Sequence, residues 1–382
     1  MRAVIVGGGI GGLAAAIGLR QAGIEPVVLE QAADPAKTQV GGGLHLWANG
    51  VRALRELELE QQAKSIGVPI ERTEFQASRG RLLATWPLGE VSREAGAVDL
   101  GVSRAELQRM LHGAVGDATI RSGAEVTRVA DDGEHVTATL ADGREERGDV
   151  LIGADGLRST IRASLLGAEE PDYAGYVQYQ TVTRELAGAL DTGVERVVFG
   201  PGQRAVSHLV GRGDLFWAAV VYGPRESAGK PPGRKQMLRE RFRGWPPPFE
   251  AAIESTPEDQ IVGLPVFDRK PVKHWGTGRT TLLGDAAHPM TTNTGQGANQ
   301  ALESAVVLAH AMASETDVAT ALRRYEQRRI DRTTPLVKRS RQASNMNAWR
   351  DPLRSRLRDF ILARALPGPG LRELRETARV AL

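Results

Sequence analysis

The chain opens on apolar blocks broken by glycine. Ala3-Val4-Ile5-Val6 is an uninterrupted apolar run of strand length, Gly7-Gly8-Gly9-Ile10-Gly11-Gly12 follows as a tight turn, and Leu13–Gln21 carries the small apolar residues of a buried helix. Pro26-Val27-Val28-Leu29 predicts a second buried strand, ending at Glu30. Met1–Leu19 also has the outline of a secretion signal, but Gly7, Gly8, Gly9, Gly11 and Gly12 interrupt it and no convincing cleavage site follows. Two later segments repeat the strand-into-glycine pattern. Val150-Leu151-Ile152 runs into Gly153-Ala154-Asp155-Gly156, and Thr281-Leu282-Leu283 into Gly284-Asp285. Gly295-Gln296-Gly297-Ala298-Asn299 then opens a helix predicted to reach about Ala313. Such strand ends gather at one edge of a parallel sheet, where α/β folds bind ligands.

Between about Asp172 and Arg269 the pattern changes. Val177–Val182, Arg196–Phe199, Ala205–Val210 and Leu215–Tyr222 predict strands separated by glycine or proline turns, and Arg234–Phe242 and Phe249–Ser255 predict helices. The expectation is an antiparallel sheet, with alternation pointing some of Phe199, Phe216, Trp217 and Tyr222 into a pocket. Beyond Thr320 the chain is helical in pattern and rich in arginine. Pro335 should kink or break the first helix. Asp351–Ala365 places Leu353, Leu357, Phe360, Ile361 and Leu362 largely on one face, and packing on the nucleotide-binding part or on another subunit is preferred over a membrane-surface role. Pro367-Gly368-Pro369-Gly370 should end that helix, and Leu371–Leu382 should be a short helix or a tail.

Composition narrows the chemistry. A chain of 382 residues, 41% hydrophobic and 25% charged, has the make-up of a globular protein of two or three domains and excludes disordered and collagen-like chains. With no cysteine, thiolate catalysis, disulfides and iron–sulfur clusters held by cysteine are excluded, and a cytoplasmic location is the expectation. The 44 glycines exceed the usual ~7% share, which the glycine loops partly explain. Net charge is +3, but the last 62 residues hold 16 basic and 6 acidic side chains, so the first 320 carry −7 and the tail +10. Solvated helix faces explain that tail without nucleic acid. No apolar run of about 18 residues predicts a membrane span. No metal-ligand spacing and no nucleophile-elbow motif occur.

The first unit has the order strand, GxGxxG, helix, strand, acid. Gly7 allows the turn, Gly9 lets backbone approach a pyrophosphate, and Gly12 allows close helix–strand packing, while the helix start offers free N–H groups to phosphate. Glu30, 18 residues beyond Gly12, is placed for a ribose hydroxyl. An acid there suits the adenosine of FAD or NAD better than that of NADP.

These motifs together resemble the class A FAD-dependent aromatic hydroxylases, of the para-hydroxybenzoate hydroxylase fold. The resemblance rests on Gly7–Gly12, on Asp155-Gly156-x-x-Ser159-x-x-Arg162 and on Gly284-Asp285-Ala286-Ala287-His288-Pro289, and it runs to about residue 345. It implies an α/β fold: a Rossmann-like FAD-binding domain from 1–70, 98–171 and 270–320, an interleaved antiparallel-sheet substrate domain from 71–97 and 172–269, and a C-terminal helical region from 321–382. It implies that Gly7, Gly9, Gly12, Glu30, Arg104, Asp155, Gly156, Asp285 and the run Gly295, Gln296, Gly297, Ala298, Asn299 hold FAD, with NADH or NADPH as co-substrate. His288 belongs to the flavin loop rather than to a metal site. The activity implied is hydroxylation of an electron-rich aromatic or heteroaromatic small molecule through a flavin hydroperoxide, in a monomer or homodimer. Epoxidation, Baeyer–Villiger insertion, flavin reduction without oxygen insertion and non-catalytic flavin binding are the alternatives.

Within the family the chain resembles the bacterial FAD-dependent urate hydroxylases at Leu46–Val51, Tyr173–Val177 and Arg204. Arg204 becomes the candidate holder of an anionic or carbonyl-rich substrate, with a surface-turn arginine as the other reading. Thr292 stands where the family carries proline, supplying a hydroxyl or merely tolerating the turn. Asn293 stands where the urate enzymes carry an acid; an amide orients a substrate but takes no proton, which argues against urate. Phe216, Tyr222 and Met290 are the expected pocket lining.

Overall fold

A computed structural model describes residues 1–34, 42–184, 186, 190–225 and 233–379. Residues 380–382 of the expected terminal segment lie outside them. The glycine-terminated strands meet as predicted. A five-stranded sheet has the order β18 (Thr280–Leu282), β12 (Val150–Gly153), β1 (Arg2–Val6), β2 (Glu25–Glu30), β8 (Ile120–Ser122), and every pairing in it is parallel. Its central strands are buried along almost their whole length, which is why they read as unbroken apolar runs rather than alternating ones. One flank is covered by α1 (Ile10–Gln21), whose Ala14, Ala15 and Ala16 are fully buried against α9 (Gly297–Ser314).

A seven-stranded sheet has the order β17 (Val262–Asp268), β13 (Asp172–Thr183), β16 (Asp214–Tyr222), β15 (Gln203–Val210), β14 (Val194–Gly200), β5 (Arg72–Ala77), β6 (Leu82–Trp86). It is mixed rather than purely antiparallel: β14 pairs parallel with β5, because the early β5–β6 hairpin joins an edge built from much later residues. One face carries Val177, Tyr179, Ala205, Trp217 and Ala219 into a core with α7 (Arg234–Arg241) and α8 (Phe249–Ser255). The opposite face presents Tyr176, Arg204, Phe216 and Tyr222. Two three-stranded sheets complete the fold: β3 (Gly43–Leu46), β7 (Leu100–Ser103), β4 (Gly67–Pro69), and β11 (Glu145–Gly148), β10 (Val136–Leu140), β9 (Val126–Asp131). The shorter helices α2 (Ala48–Glu56), α3 (Glu60–Ile66), α4 (Leu88–Glu94), α5 (Arg104–Val115) and α6 (Thr160–Leu166) connect these layers.

The C-terminal helices depart from expectation in three ways. Helix α10 (Val318–Asn347) runs unbroken through Pro335, because the packed face around it, with Thr333, Leu336, Val337 and Ser340 buried, outweighs the one lost backbone bond. The α-helical pattern of α11 (Pro352–Ala365) does stop before Pro367–Gly370 and a short helix follows, as predicted, but the chain does not leave the helical region between them. The backbone passes through a widened turn at Leu366–Gly370 into α12 (Leu371–Ala378), and the indole N–H of Trp86 bonds the Leu366 carbonyl at 2.8 Å. Finally, α11 packs with its apolar face outward. It lies against β6 and the end of β14, not on the five-stranded sheet, and Ser355, Arg358, Asp359 and Leu362 are its buried residues. The Arg358 guanidinium donates to the Gly200 carbonyl at 2.8 Å and lies over the Phe199 ring, which turns the Ser355, Arg358 and Leu362 side of the helix inward.

Candidate functional site

At the β1–α1 junction two kinds of glycine stand side by side. Gly7 has φ +105°, and a β-carbon there would lie 2.4 Å from the Ala154 carbonyl oxygen; one at Gly12 would lie 2.0 Å from the Gly7 carbonyl oxygen. The fold itself requires these two. Gly9, the N-cap of α1, has an ordinary φ of −76°, and a β-carbon on it would meet nothing within 4 Å. Gly297, the first residue of α9, is likewise outside the left-handed region and faces open space. Neither backbone strain nor packing explains these glycines, and both lie at helix N-termini, where free N–H groups attract anionic or carbonyl-bearing ligands. The Glu30 carboxylate sits beside the first turn, accepting the N–H groups of Gly8 at 2.7 Å and Ala32 at 2.8 Å.

The other glycine loops converge on the same edge. Asp155 accepts the Ser159 hydroxyl at 2.5 Å and the Ile161 N–H at 3.2 Å, so its carboxylate caps α6; burial pushes it up. Gly156 has φ +81° and open space at its α-carbon. Arg162, buried, donates to the carbonyls of Ala286 at 2.9 Å and Ala287 at 3.3 Å, which ties the second loop to the third. Asp285 is open to solvent on one side while protein encloses it on the others; that enclosure pushes its carboxyl up, against the pull of the Arg104 charge. Arg104 stands exposed at the start of α5.

From this third loop the chain reaches the seven-stranded sheet. Arg204 is buried, 6% exposed, which removes the surface-turn reading. Its terminal nitrogens donate to the carbonyls of Asn293 at 3.2 Å and Thr292 at 3.4 Å, and its buried Nε–H has no protein partner. The Tyr176 hydroxyl oxygen accepts the Thr292 N–H at 3.0 Å and the Asn293 amide at 3.2 Å. Thr292 Oγ1 gives its proton to Gln178 Oε1 at 2.7 Å, so the 2.9 Å contact between Tyr176 and Thr292 has the tyrosine as donor. The chain continues from Gln178 to Gln180 at 2.6 Å. Burial pushes the Tyr176 phenol up and keeps it a hydroxyl. The Asn347 amide donates to the Asn293 side-chain oxygen, Oδ1, at 3.1 Å. Thr292 therefore supplies a backbone N–H and a hydroxyl that a proline could not.

Behind the loop, the start of α9 is fixed by a buried polar network. Asn49 donates to Gln296 at 3.0 Å and to Glu303 at 2.5 Å. Glu303 pairs with Arg329 at 2.7 Å and Arg332 at 3.2 Å; burial works against its charge, but the two arginines hold it at about 2. Asn299 bonds the Trp47 N–H and the His45 carbonyl, each at 3.0 Å. His288 is buried and neutral, pushed down to about 3 by burial and by Arg329, and it contacts Ser304.

The structure does not bring all the candidates together. Tyr222 joins the Arg204 end, its ring 4.9 Å from that of Tyr176. Phe216 is six residues further along β16, about 20 Å, and packs on His208 and Gly43 instead. Met290 is half-buried at the start of the loop. Tyr176, Gln178 and Gln180 were not singled out, although alternation along β13 puts them on the site face. His208 lies beside His45 and Glu195. Among the described residues no group of His, Asp or Glu is placed to hold a metal ion.

The family described as "FAD binding domain" matches residues 1–340. The chain belongs to this family of FAD-dependent monooxygenases. The aurachin C monooxygenase/isomerase of Stigmatella aurantiaca is 36% identical over 359 residues, spanning 94% of this chain and 93% of that protein. The FAD-dependent urate hydroxylase of Klebsiella pneumoniae (strain ATCC 700721 / MGH 78578) is 33% identical over 354 residues, 92% of this chain and 91% of that one. The chloroplastic zeaxanthin epoxidase of Oryza sativa subsp. japonica is 33% identical over 363 residues, but this chain spans 55% of that longer protein. The structure of Klebsiella pneumoniae HpxO complexed with FAD and uric acid superposes with a TM-score of 0.91 at 30% identity, covering 99% of this chain and 96% of that one. The mixed architecture of parallel sheet, larger mixed sheet and C-terminal helices is thus that of the FAD hydroxylases, and the chain binds FAD as the family does.

Proposed function

We propose that this protein is a monooxygenase that uses NADH or NADPH and O2 to hydroxylate an electron-rich aromatic or heteroaromatic small molecule. The observation that carries the reading is the direct contact between the loop at Thr292 and Asn293, which leads into the open helix start at Gly297, and the sheet face at Tyr176 and Arg204. A substrate held by that face has the cofactor loop as its other wall. Residues 1–70, 98–171 and 270–320 form the FAD-binding part in this reading, and 71–97 with 172–269 the substrate part.

Gly9 and Gly12 with the first turn of α1 would take the pyrophosphate, Glu30 the ribose, and Asp285 the polyol chain, with Arg104, Asp155 and Gly156 alongside. The N–H groups from Gly295 to Asn299 would face the pyrimidine end of the ring system. The open α-carbons at Gly9 and Gly297 fit such a group. Bound there, FAD would supply the redox chemistry, with the nicotinamide as hydride donor and O2 as the source of the inserted oxygen atom, the other oxygen atom going to water.

The protein's part is orientation and electrostatics. The N-terminal dipole of α9 stabilises negative charge on the reduced cofactor. Arg204 offers its free Nε–H and positive charge to an anionic or carbonyl-rich substrate. The Tyr176–Thr292–Gln178 chain has a fixed donor direction and holds the loop in register, and Asn293 orients without accepting a proton. Since that wall offers hydrogen bonds rather than a strong base, the substrate enters already electron-rich or ionised.

The test is to purify the protein, measure its visible flavin spectrum, and follow NADH and NADPH oxidation, O2 uptake and product mass across a panel of phenols and heteroaromatics. A product heavier by one oxygen atom is expected; nicotinamide oxidation with no oxygen in the product would reject the proposal. Epoxidation of an alkene is the second reading, favoured by the similarity to the zeaxanthin epoxidase, and the same product analysis separates it.

A further inference from the structure

Helix α11 is inverted. Of the large apolar side chains exposed among the described residues, four lie on this helix: Leu353 (71% exposed), Leu357 (51%), Phe360 (53%) and Ile361 (38%). Their spacing puts them in one stripe along the solvent side. The buried side is polar, with Ser355, Arg358 and Asp359 beside Leu362, and Arg358 fastens it to the Gly200 carbonyl and to Phe199. The apolar stripe therefore contributes nothing to the core of this chain.

The charges around the stripe say what covers it. At 100° per residue, Arg354 flanks the stripe on one side and Arg356 on the other, while Arg364 lies at its C-terminal end. All three are exposed, and among the described residues none has a carboxylate partner; Arg364 instead lies 3.6 Å over the Phe360 ring. The acid at the helix start, Asp351, turns its carboxylate to the N–H groups of Leu353 and Arg354. On the neighbouring helices Arg339 pairs with Glu373 and Arg375 with Glu90, so unpaired guanidinium groups are not the rule at this end of the chain. A second copy of this chain on a two-fold axis would set these unpaired guanidinium groups against their own images. A surface of anionic lipid neutralises them and takes the leucine, isoleucine and phenylalanine side chains below the headgroups, the arrangement of an interfacial helix.

We propose that α11 docks the protein on anionic lipid bilayers, with Leu353, Leu357, Phe360 and Ile361 entering the interface and Arg354, Arg356 and Arg364 contacting lipid phosphates. No described helix is long and apolar enough to cross a membrane, so the association is peripheral.

The test is flotation of the FAD-loaded full chain with vesicles of phosphatidylcholine alone and of phosphatidylcholine with phosphatidylglycerol, with light scattering in parallel. Binding to the anionic vesicles, weakened by salt, is expected. Arg354→Gln with Arg356→Gln should lower it about thirtyfold, at about 1 kcal/mol per arginine. Leu357→Ser with Phe360→Ser should lower it about tenfold or more, while the flavin spectrum and melting temperature stay as in the parent, since these side chains are outside the core. Three results would overturn the proposal: no preference for anionic over zwitterionic vesicles, binding that neither pair of substitutions weakens, or a parent dimer that the Leu357 and Phe360 substitutions convert to monomer.

Discussion

His45 lies flat on the indole of Trp47, ring centroids 3.9 Å apart, with Glu195 3.1 Å from one ring nitrogen and Asp99 3.3 Å from the other. All three ionisable groups are buried, and they tie β3 to β14 across the two larger halves of the fold. Burial alone would lower the histidine, but the carboxylates outweigh it and take it to about 9; burial likewise opposes the Glu195 charge, which His45 holds at about 2. His45 is therefore a cation at neutral pH, stacked on an indole whose own buried N–H has no protein partner and lies against Gly295.

A histidine that holds its proton more tightly when folded stabilises the protein fully below its ordinary value of 6.5, and the contribution fades as pH rises through about 9. Glu195 works in the other direction, stabilising above its ordinary 4.5 and fading as pH falls toward 2. Melting temperature should therefore decline more steeply from about pH 7 to about pH 10 in the parent than in His45→Gln. At neutral pH the variant should be less stable by about 3–5 kcal/mol, the cost of leaving a buried carboxylate unpaired. Parallel pH–stability curves for the two proteins would contradict this charge state.

The two kinds of glycine at the β1–α1 junction should fail differently. Gly12→Ala forces a β-carbon onto the Gly7 carbonyl and should reduce folded yield outright. Gly9→Ala meets nothing in the protein, so its stability without FAD should stay within about 0.5 kcal/mol of the parent, while FAD affinity drops. Comparing thermal melts with flavin content after gel filtration checks both. A Gly9→Ala protein that retains FAD at parental affinity would show that the open space is not cofactor space.

The nucleotide half was legible because its signals are local. The run from Ala3 to Glu30 holds strand, turn, helix and acid within one short stretch, and the chemistry of each position follows from its neighbours. The clusters that join the halves were not legible. His45, Asp99 and Glu195 come from three distant stretches of the chain, and no spacing links them. The orientation of α11 was misread for a related reason: apolar periodicity identifies a face, but whether that face turns inward depends on what anchors the other side. Here Arg358 and Gly200 decide it. Pro335 was over-weighted as a breaker, since packing on both sides holds the backbone helical.

The hydrogen-bond direction at Tyr176 can be tested by removing one proton at a time. Tyr176→Phe removes the oxygen that accepts the Thr292 N–H and the Asn293 amide at the half-exposed rim of the loop, with an expected loss of about 0.5–1.5 kcal/mol. Thr292→Val keeps the N–H and the shape but removes the hydroxyl between Tyr176 and Gln178, and should cost less. Thr292→Pro removes the N–H donor as well, and should be the worst of the three for stability. Chemical denaturation ranks them; a Thr292→Pro protein as stable as the parent would mean that the threonine merely tolerates the turn.

Arg204 has two duties in this geometry, and one pair of substitutions separates them. Its terminal nitrogens hold the Thr292 and Asn293 carbonyls, while its Nε–H is free. Arg204→Lys keeps the charge and one donor but loses the planar fork. Arg204→Ala loses everything and leaves two carbonyls without donors. If the arginine binds substrate, both variants should retain FAD with parental spectra, because the glycine loops proposed to hold the cofactor are left unchanged. Substrate KM should rise by about tenfold or more in each, the equivalent of one charge-assisted hydrogen bond of about 1.5–3 kcal/mol. If its only duty is to clamp the loop, Arg204→Ala should lose stability and FAD affinity together, and Arg204→Lys should recover both with an unchanged KM. Flavin titration, thermal melting and steady-state kinetics on the same two proteins distinguish the outcomes.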